Sequence, residues 1–168
     1  MFDRIADTYD QWYDSQEGEA IFNAEAICLN RLGGSFAGKW LEVGVGTGHF
    51  ASKLGSIEGI DPFFGMSKIA AVRGIQTYAG RAETLPLPDE SFDGVLMALS
   101  LCFIKQPDRA LKECFRILQP AGRLLLGVVS ADSHWGELYE MKKATGHPIY
   151  SLADLRSSLE VIAITEDA

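Results

Sequence analysis

Short apolar runs alternate with amphipathic segments along most of the chain. The runs that predict strands are Trp40–Val43, Ile57–Ile60, Ile75–Tyr78, Phe92–Ala98 and Arg123–Val129. Apolar residues recur at helical spacing between them, in His49–Leu54, Met66–Arg73 and Arg109–Leu118. Strands that alternate with helices are joined by right-handed crossovers, which produce a parallel sheet. The pattern therefore predicts an α/β fold, with a doubly wound, mostly parallel sheet and helices on both faces.

Further elements are predicted on either side of this core. A helix over residues 17–32 ends at a glycine pair, and its apolar side is formed by Ile21, Ala24, Ile27, Cys28 and Leu32. After the fifth strand, "SHWGELYEMKKATG" is amphipathic, and "SLADLRSSL" predicts a helix with Ser151 and Asp154 at capping-box spacing. A short sixth strand is predicted at Glu160–Thr165.

Composition limits the classes of protein that fit. A chain of 168 residues that is 47% hydrophobic can bury one core, so we expect a single domain over residues 1–168. No apolar run approaches the roughly 18 residues of a membrane span, and the acidic start does not resemble a signal peptide, so we expect a cytoplasmic protein. A net charge of -8 argues against nucleic acid as a partner.

The cysteines and histidines do not have the spacing of a metal site. Cys28, Cys102 and Cys114 are far apart in apolar surroundings and are expected to be reduced core residues. The histidines, at positions 49, 134 and 147, are equally scattered. No metal is predicted.

The stretch "KWLEVGVGTGHF" places glycines at 44, 46 and 48 after the first strand, with Glu42 just before them. Glycines at a strand-to-helix turn allow a ligand to touch the main chain, and the helix offers N–H groups to a negative group. A dinucleotide site would have its third glycine at residue 49, which is His49. The spacing therefore argues against a nicotinamide cofactor, although Asp61 after the second strand is compatible with one.

Four motifs in order resemble the class I S-adenosylmethionine-dependent methyltransferases, in their small-molecule, type 11-like group. They are "LEVGVGTGHF", "GIDPFFGM", "GRAETLPLPDESFDGVLMALSLCFI" and "ALKECFRILQPAGRLLLG". The resemblance implies a Rossmann-like fold that binds S-adenosylmethionine and releases S-adenosylhomocysteine. It divides the domain into a lid and first helix (1–34), a cofactor-binding core (35–130) and a substrate-side segment with the last strand (131–168).

The first motif implies contacts to the methionine part of the cofactor. The cofactor's carboxylate would lie near helix N–H groups, and its ammonium would lie on the side of Glu42. The main chain beneath it would be that of Gly44, Val45, Gly46 and Gly48.

The later motifs imply contacts to the adenosine. Asp61 would accept hydrogen bonds from both ribose hydroxyls, with Pro62 beside it, and Glu83 would meet the adenine amino group. The other implied contacts are the main chain of Ala82 and a floor formed by Ala98 and Leu99.

The resemblance also implies a lid and an acceptor side. The opening "FDRIADTYDQWYD" would fold over the cofactor, and Tyr9, Trp12 and Tyr13 would shield it, with Tyr9 or Tyr13 reaching the cofactor's carboxylate. The substrate-side candidates are Tyr13, His134, Tyr139 and His147. No residue is assigned as a catalytic base.

The predicted function is methyl transfer to a small-molecule acceptor. The alternatives are a nicotinamide-dependent oxidoreductase and a non-catalytic domain that binds the cofactor or a partner. The family's sheet usually has seven strands and ends in a hairpin of two strands. This chain is expected to have room for only one of those two strands. We therefore expect a six-stranded sheet, a homodimer through the open edge of strand five, or a chain shorter than its functional form.

Overall fold

The computed structural model describes residues 2–55 and 58–168. The strands are β1 (Trp40–Val43), β2 (Glu58–Asp61), β3 (Gln76–Ala79), β4 (Phe92–Ala98) and β5 (Leu118–Gly127). The helices are α1 (Phe2–Trp12), α2 (Gln16–Gly33), α3 (His49–Leu54), α4 (Phe64–Val72), α5 (Pro107–Ile117), α6 (His134–Ala144) and α7 (Ser158–Glu166). Short 3-10 turns lie at Leu101–Phe103 and Tyr150–Leu152.

The sheet has five parallel strands in the order β3-β2-β1-β4-β5. The predicted parallel α/β fold is therefore confirmed, although Ile57 of the predicted second strand lies outside the described residues. The chain goes from β1 outward to β3 and then returns to β4 on the other side of β1. The strand order thus reverses between β1 and β4, and in such sheets the ligand crevice lies at the carboxyl ends of those strands.

Both faces of the sheet are covered by helices, as the continuous apolar runs predict. In β1, Trp40 packs with Leu96 of β4 against α2 and α3 on one face. Leu41 and Val43 belong to the core on the opposite face, together with Leu111 of α5 and residues of α7. Neighbouring residues point to opposite sides because a strand has a period of two. Glu42 therefore points toward the α2 and α3 face.

Helix α2 forms where it is predicted but packs through a different face. Its buried residues are Gly18, Ala26, Leu29 and Gly33. Ile27 and Leu32 of the predicted apolar side are 53% and 70% exposed. Small residues explain this choice, because Gly33 lies so close to Phe36 and Leu125 that a Cβ there would be 2.8 Å from the Phe36 ring. Close approach to β5 decides the face more strongly than the spacing of large apolar side chains.

The prediction that all the cysteines lie in the core is wrong in part. Cys114 is buried, Cys102 is half-buried and Cys28 is exposed. The exposure of Cys28 is explained by the packing of α2, because Cys28 lies on the side of the helix that faces away from the sheet. Burial raises the pKa of the Cys102 and Cys114 thiols to about 12, so both are protonated at neutral pH.

The C-terminal elements differ from the prediction. The predicted strand at Glu160–Thr165 is part of helix α7, and the capping box is formed by Ser157 and Glu160 rather than by Ser151 and Asp154. Both pairs match the same sequence pattern. In the second pair the hydroxyl of Ser157 accepts from the N–H of Glu160, and the Glu160 carboxylate accepts from the N–H of Ser157. These reciprocal bonds start a helix in a β-branched segment that resembles a strand.

The sixth strand predicted at Glu160–Thr165 is therefore absent from the part of the chain that the structure describes. There, β5 pairs with β4 alone and its outer edge is free of strand partners. None of the helices in that part is long and apolar enough to cross a membrane.

Candidate functional site

A cavity of about 380 Å³ opens at the carboxyl ends of β1, β2 and β4. Its volume lies within the range of small-molecule sites. Nine of the residues predicted from the sequence to contact a cofactor line it: Tyr9, Gly44, Gly46, Asp61, Pro62, Ala82, Glu83, Ala98 and Leu99. Segments that are distant along the chain thus meet at the point where the strand order reverses.

The glycine loop after β1 has two different structural reasons for its glycines. Gly44 has a φ of 77°, and a Cβ there would lie 2.5 Å from the Cβ of Ser100. Gly46 has a φ of 53°, but a Cβ there would meet no atom within 4 Å. Gly44 is therefore required by packing of the loop on the segment after β4, whereas the space beside Gly46 remains open for a ligand.

The remaining residues of the loop hold the surrounding structure and do not line the cavity. Val45 fills the space beside Gly59 of β2, where a Cβ would lie 2.6 Å from a Val45 methyl. Gly48 starts α3 with a φ of 86° and approaches Ala70 of α4. These two predicted positions support the loop from behind.

Asp61 at the end of β2 is positioned by the loop. One of its carboxylate oxygens accepts from the N–H of Gly46 at 3.0 Å, and the other accepts from the N–H of Phe63 at 2.9 Å. Burial raises the pKa of Asp61, and these two hydrogen bonds act in the opposite direction. Each oxygen keeps a further lone pair, so the fixed carboxylate can accept two more hydrogen bonds from a ligand in the cavity.

Glu42 lies beneath the loop and is fully buried. Its Oε2 atom has no hydrogen-bond partner among the described residues. Burial raises its pKa well above the usual range, and the N–H of Ala51 in α3 acts against that rise. Glu42 does not line the cavity, so its effect on a ligand would be exerted across the glycine loop. A buried acid that lacks one partner is costly and favours a cationic group nearby.

Glu83 lines the cavity from the segment after β3. Its carboxylate accepts from Arg81 at 3.0 Å, with 56% of the Arg81 side chain exposed. Although burial acts against ionisation, N–H groups of Glu83 and Gln106 and the Arg81 guanidinium hold the pKa of Glu83 below its usual value. Glu83 therefore presents an ionised carboxylate, which accepts but cannot donate a hydrogen bond.

Helix α1 lies against the cavity, which its residues Phe2 and Tyr9 line. Phe2 packs against Phe63 and Phe103 with ring centroids 5.1 and 5.4 Å apart. Asp3 accepts from the N–H of Gly65 at the start of α4 at 2.7 Å. Tyr9, further along the same helix, also lines the cavity.

Three residues form a latch that holds α1 on the core: Asp10, His49 and Arg73. The two oxygens of Asp10 lie 2.9 Å from His49 Nε2 and 2.9 Å from an Arg73 nitrogen. Arg73 also donates to the carbonyl of Thr47 in the glycine loop at 2.9 Å. Burial and the Arg73 charge lower the pKa of His49, while hydrogen bonds from Arg73 and His49 keep the Asp10 pKa low despite its burial. Helix α1 is thereby tied to the glycine loop.

The other lid aromatics and the substrate-side candidates lie in different surroundings. Tyr13 is buried behind Tyr9, stacked on His49 at 3.9 Å, whereas Trp12 is 38% exposed. Tyr139 of α6 is half-buried and contacts Tyr150. The two remaining candidates, His134 and His147, are exposed and do not line the cavity described above.

Sequence reasoning missed several residues of this site. Phe103, Ile104 and Lys105 line the cavity from the segment after β4, and Leu152 lines it from a turn near the C-terminus. The negative charge of Glu25 on α2 also contributes to the raised pKa of Tyr9 and of Tyr13. The available signal for Glu25 was its position three residues after Phe22 and four before Leu29, which becomes informative only once the packed face of α2 is known.

Comparisons with known proteins agree with this geometry. The family model for a methyltransferase domain matches residues 41–126, from β1 into β5. The chain belongs to the methyltransferase domain family. Methyltransferase membership explains why the glycine spacing departs from the dinucleotide pattern, and it favours the first functional prediction over a nicotinamide-dependent oxidoreductase.

Similar proteins include one of known structure. A SAM-dependent methyltransferase and possible histamine N-methyltransferase of Thermotoga maritima is 35% identical, with a TM-score of 0.88 over 99% of this chain and 78% of that one. An uncharacterized protein of Methanocaldococcus jannaschii is 36% identical over 99% of this chain and 79% of its own length. Demethylmenaquinone methyltransferase of Renibacterium salmoninarum is 29% identical over 77% of this chain and 57% of its own length.

Proposed function

We propose that this protein binds S-adenosylmethionine in the cavity beneath α1 and transfers its methyl group to a small-molecule acceptor. The observation that carries the proposal is Asp61, whose two oxygens are fixed by N–H groups of Gly46 and Phe63 at the cavity wall. A carboxylate held in this way suits the two hydroxyls of a ribose. The membership in the methyltransferase family supports the same ligand.

The other residues of the site fit the rest of that cofactor. The open space beside Gly46 suits a ligand that touches the main chain, and the unpartnered oxygen of Glu42 suits a nearby ammonium group. The ionised carboxylate of Glu83 can accept a hydrogen bond from the adenine amino group. Ala98 and Leu99 would lie under the adenosine as apolar floor residues.

The chemistry requires alignment more than it requires a protein nucleophile. When bound, the cofactor supplies an activated methyl group on a sulfonium. The protein's task is to orient the acceptor in line with that methyl, and good orientation can supply about 7–11 kcal/mol of barrier reduction. The protonated thiols of Cys102 and Cys114 are accordingly unsuited to act as nucleophiles at neutral pH.

The lid contributes by excluding water. Phe2 and Tyr9 cover the cavity, and the latch of Asp10, His49 and Arg73 connects the lid to the glycine loop. Helix α1 lies beside the cavity between its contacts at Gly65 and Arg73, so movement of α1 would widen the access for ligands.

Calorimetric titration tests this proposal. The purified protein is titrated with S-adenosylmethionine and S-adenosylhomocysteine, with NAD and NADH as controls, and the series is repeated on Asp61→Ala. We expect micromolar binding of the two sulfur compounds, weakened at least about tenfold in the variant, since a charge-assisted contact is lost. Asp7→Asn, an exposed residue on α1, is the matched control and should bind like the wild type. Heat with NAD but none with the sulfur compounds would overturn the proposal.

A further inference from the structure

One acidic side chain near the cavity has no cationic partner among the described residues. Glu25 lies on the packed face of α2, one turn before Leu29 and adjacent to the buried Ala26. Its carboxylate forms no hydrogen bond or ion pair with any residue that the structure describes. Burial raises the pKa of Glu25 to about 7. An acid kept in that environment without a cation is unfavourable for folding, which suggests a role in binding.

The course of α2 places Glu25 at the same edge of the sheet as the cavity. A Cβ on Gly33 would lie 3.0 Å from a Leu125 methyl, and a Cβ on Gly127 would lie 3.1 Å from a Leu29 methyl. Moving from Gly33 back to Leu29 therefore follows β5 toward its last residue. Glu25 lies four residues further, about 6 Å along the helix, and so lies beyond the carboxyl end of β5.

Three tyrosines lie near Glu25. Tyr9 belongs to α1 and Tyr139 belongs to α6. Tyr13 follows α1, and its ring lies 5.5 Å from the ring of Phe22, which is one turn before Glu25 on α2. Burial is the main cause of the raised pKa of all three hydroxyls, and the negative charge of Glu25 adds to it in each case. Tyr9 also lines the cavity, so this cluster adjoins the cofactor site directly.

The cluster offers the contacts that an ammonium group needs. The hydroxyls of Tyr9 and Tyr13 are 3.1 Å apart, so one donates to the other and the second hydroxyl hydrogen is left for another acceptor. A carboxylate provides the counter-charge, and aromatic rings attract a cation through their faces. No lysine or arginine of the described chain pairs with Glu25, so its charge remains available to a ligand.

We propose that Glu25, Tyr9, Tyr13 and Tyr139 form the acceptor subsite and that the acceptor is a small-molecule amine. The inference rests on the proposed function, which it deepens by naming the substrate class. The amine binds as an ammonium paired with the Glu25 carboxylate. Neutral or acidic acceptors of the same size lack this pairing and are disfavoured.

The transfer step balances with Glu25 as proton acceptor. The ammonium gives one proton to the Glu25 carboxylate and becomes a neutral amine. The amine nitrogen then forms a bond to the methyl carbon, while the carbon–sulfur bond breaks and its electron pair stays on sulfur. The products are a methylated ammonium, a neutral thioether and a protonated Glu25, which loses its proton to solvent when the lid opens.

The test measures binding to the protein saturated with S-adenosylhomocysteine. Phenethylamine and histamine are the amine probes, with 2-phenylethanol as the neutral isostere and phenylacetate as the anion. Calorimetric titrations are made on the wild type, on Glu25→Gln and on Glu19→Gln, an exposed position of the same helix. The Glu25 carboxyl carbon is followed by NMR as a direct readout of the pairing.

We expect at least one amine to bind about tenfold or more tightly than the alcohol, and Glu25→Gln to abolish that preference. The affinity for S-adenosylhomocysteine should stay within about twofold in both variants, and the pKa of Glu25 should fall when the amine binds. Equal binding of amine and alcohol, tighter binding of phenylacetate, unchanged amine binding in Glu25→Gln, or no amine binding to the S-adenosylhomocysteine complex would each overturn the inference. Failure of S-adenosylhomocysteine itself to bind would instead overturn the proposed function.

Discussion

At the residue scale, the site depends on a few positions whose surroundings differ although their types are the same. Gly46 and Gly48 both have positive φ, yet only Gly46 faces open space at the cavity. Asp61 and Glu42 are both buried acids, yet Asp61 is held by two N–H groups and Glu42 has an oxygen without a partner. These differences separate ligand binding from structural support and lead to distinct predictions for substitutions.

Replacing Gly46 by Ala should weaken cofactor binding in addition to its cost to folding. The new methyl group would occupy the open space beside the loop, while the left-handed backbone costs about 1–2 kcal/mol. We expect about a tenfold loss of S-adenosylhomocysteine affinity, measured by calorimetry. Gly55→Ala is the matched control, because Gly55 also has positive φ and open space but lies away from the cavity. Equal affinities in the two variants would contradict this role of Gly46.

The pH dependence of stability should reveal the buried carboxylate of Glu25. Its pKa is about 7 in the folded protein and near the ordinary 4.5 when unfolded, so its ionisation opposes folding. Its contribution to stability is therefore lost as pH rises from about 4.5 to 7. Tyr9, Tyr13 and Tyr139 are the titratable groups that it influences, and all stay protonated in this range.

Urea denaturation of the wild type and of Glu25→Gln at several pH values tests whether the free energy of unfolding falls with rising pH as predicted. The variant should gain stability relative to the wild type between pH 5 and 7, and the difference should level off above that range. Glu19→Gln, with an exposed side chain, should show no such trend. A constant difference between wild type and Glu25→Gln at all pH values would mean that Glu25 titrates normally.

At the scale of the elements, the lid is fixed at both ends by polar contacts to different parts of the core. Asp3 near its start contacts Gly65 of α4, and Asp10 near its end contacts His49 and Arg73. Because Arg73 also bonds to Thr47 in the glycine loop, the position of the lid and the shape of the loop are coupled. Weakening the latch should consequently affect both.

Asp10→Asn should loosen α1 while leaving the sheet intact. The substitution removes the negative charge between His49 and Arg73, which are then left near each other without a counter-charge. Hydrogen exchange of the α1 amides should become about tenfold faster, while the amides of β1 and β4 stay protected. Asp7→Asn on the exposed side of α1 should leave exchange unchanged. Unaltered exchange in Asp10→Asn would show that apolar contacts alone hold the lid.

At the scale of the whole molecule, the sheet ends at β5, which has no strand partner on its outer side in the described chain. Such an edge can pair with another copy, and the homodimer predicted from the sequence remains a prediction. Light scattering over a concentration series should give twice the monomer mass, and dilution to monomer should speed hydrogen exchange in β5. A monomer at all concentrations with β5 amides fully protected would contradict pairing at this edge.

The parts of the fold that the sequence predicts well are those decided by neighbouring residues. The glycine loop, Asp61 at the end of β2 and the five parallel strands follow from spacing and apolar runs. The packed face of α2, the helix at Ser158–Glu166 and the latch depend on contacts between distant segments. The proposed role of Glu25 depends on which face of α2 is packed, and no local pattern specifies that face.

The central claim is that S-adenosylmethionine binds where β1, β2 and β4 end. The most direct measurement is a map of backbone amide NMR shifts on titration with S-adenosylhomocysteine. We predict that the largest changes fall on Gly44, Gly46, Asp61 and Ala82, while Gly146, in the distant turn after α6, does not move. Changes confined to other parts of the surface, or no changes at saturating ligand, would contradict the account.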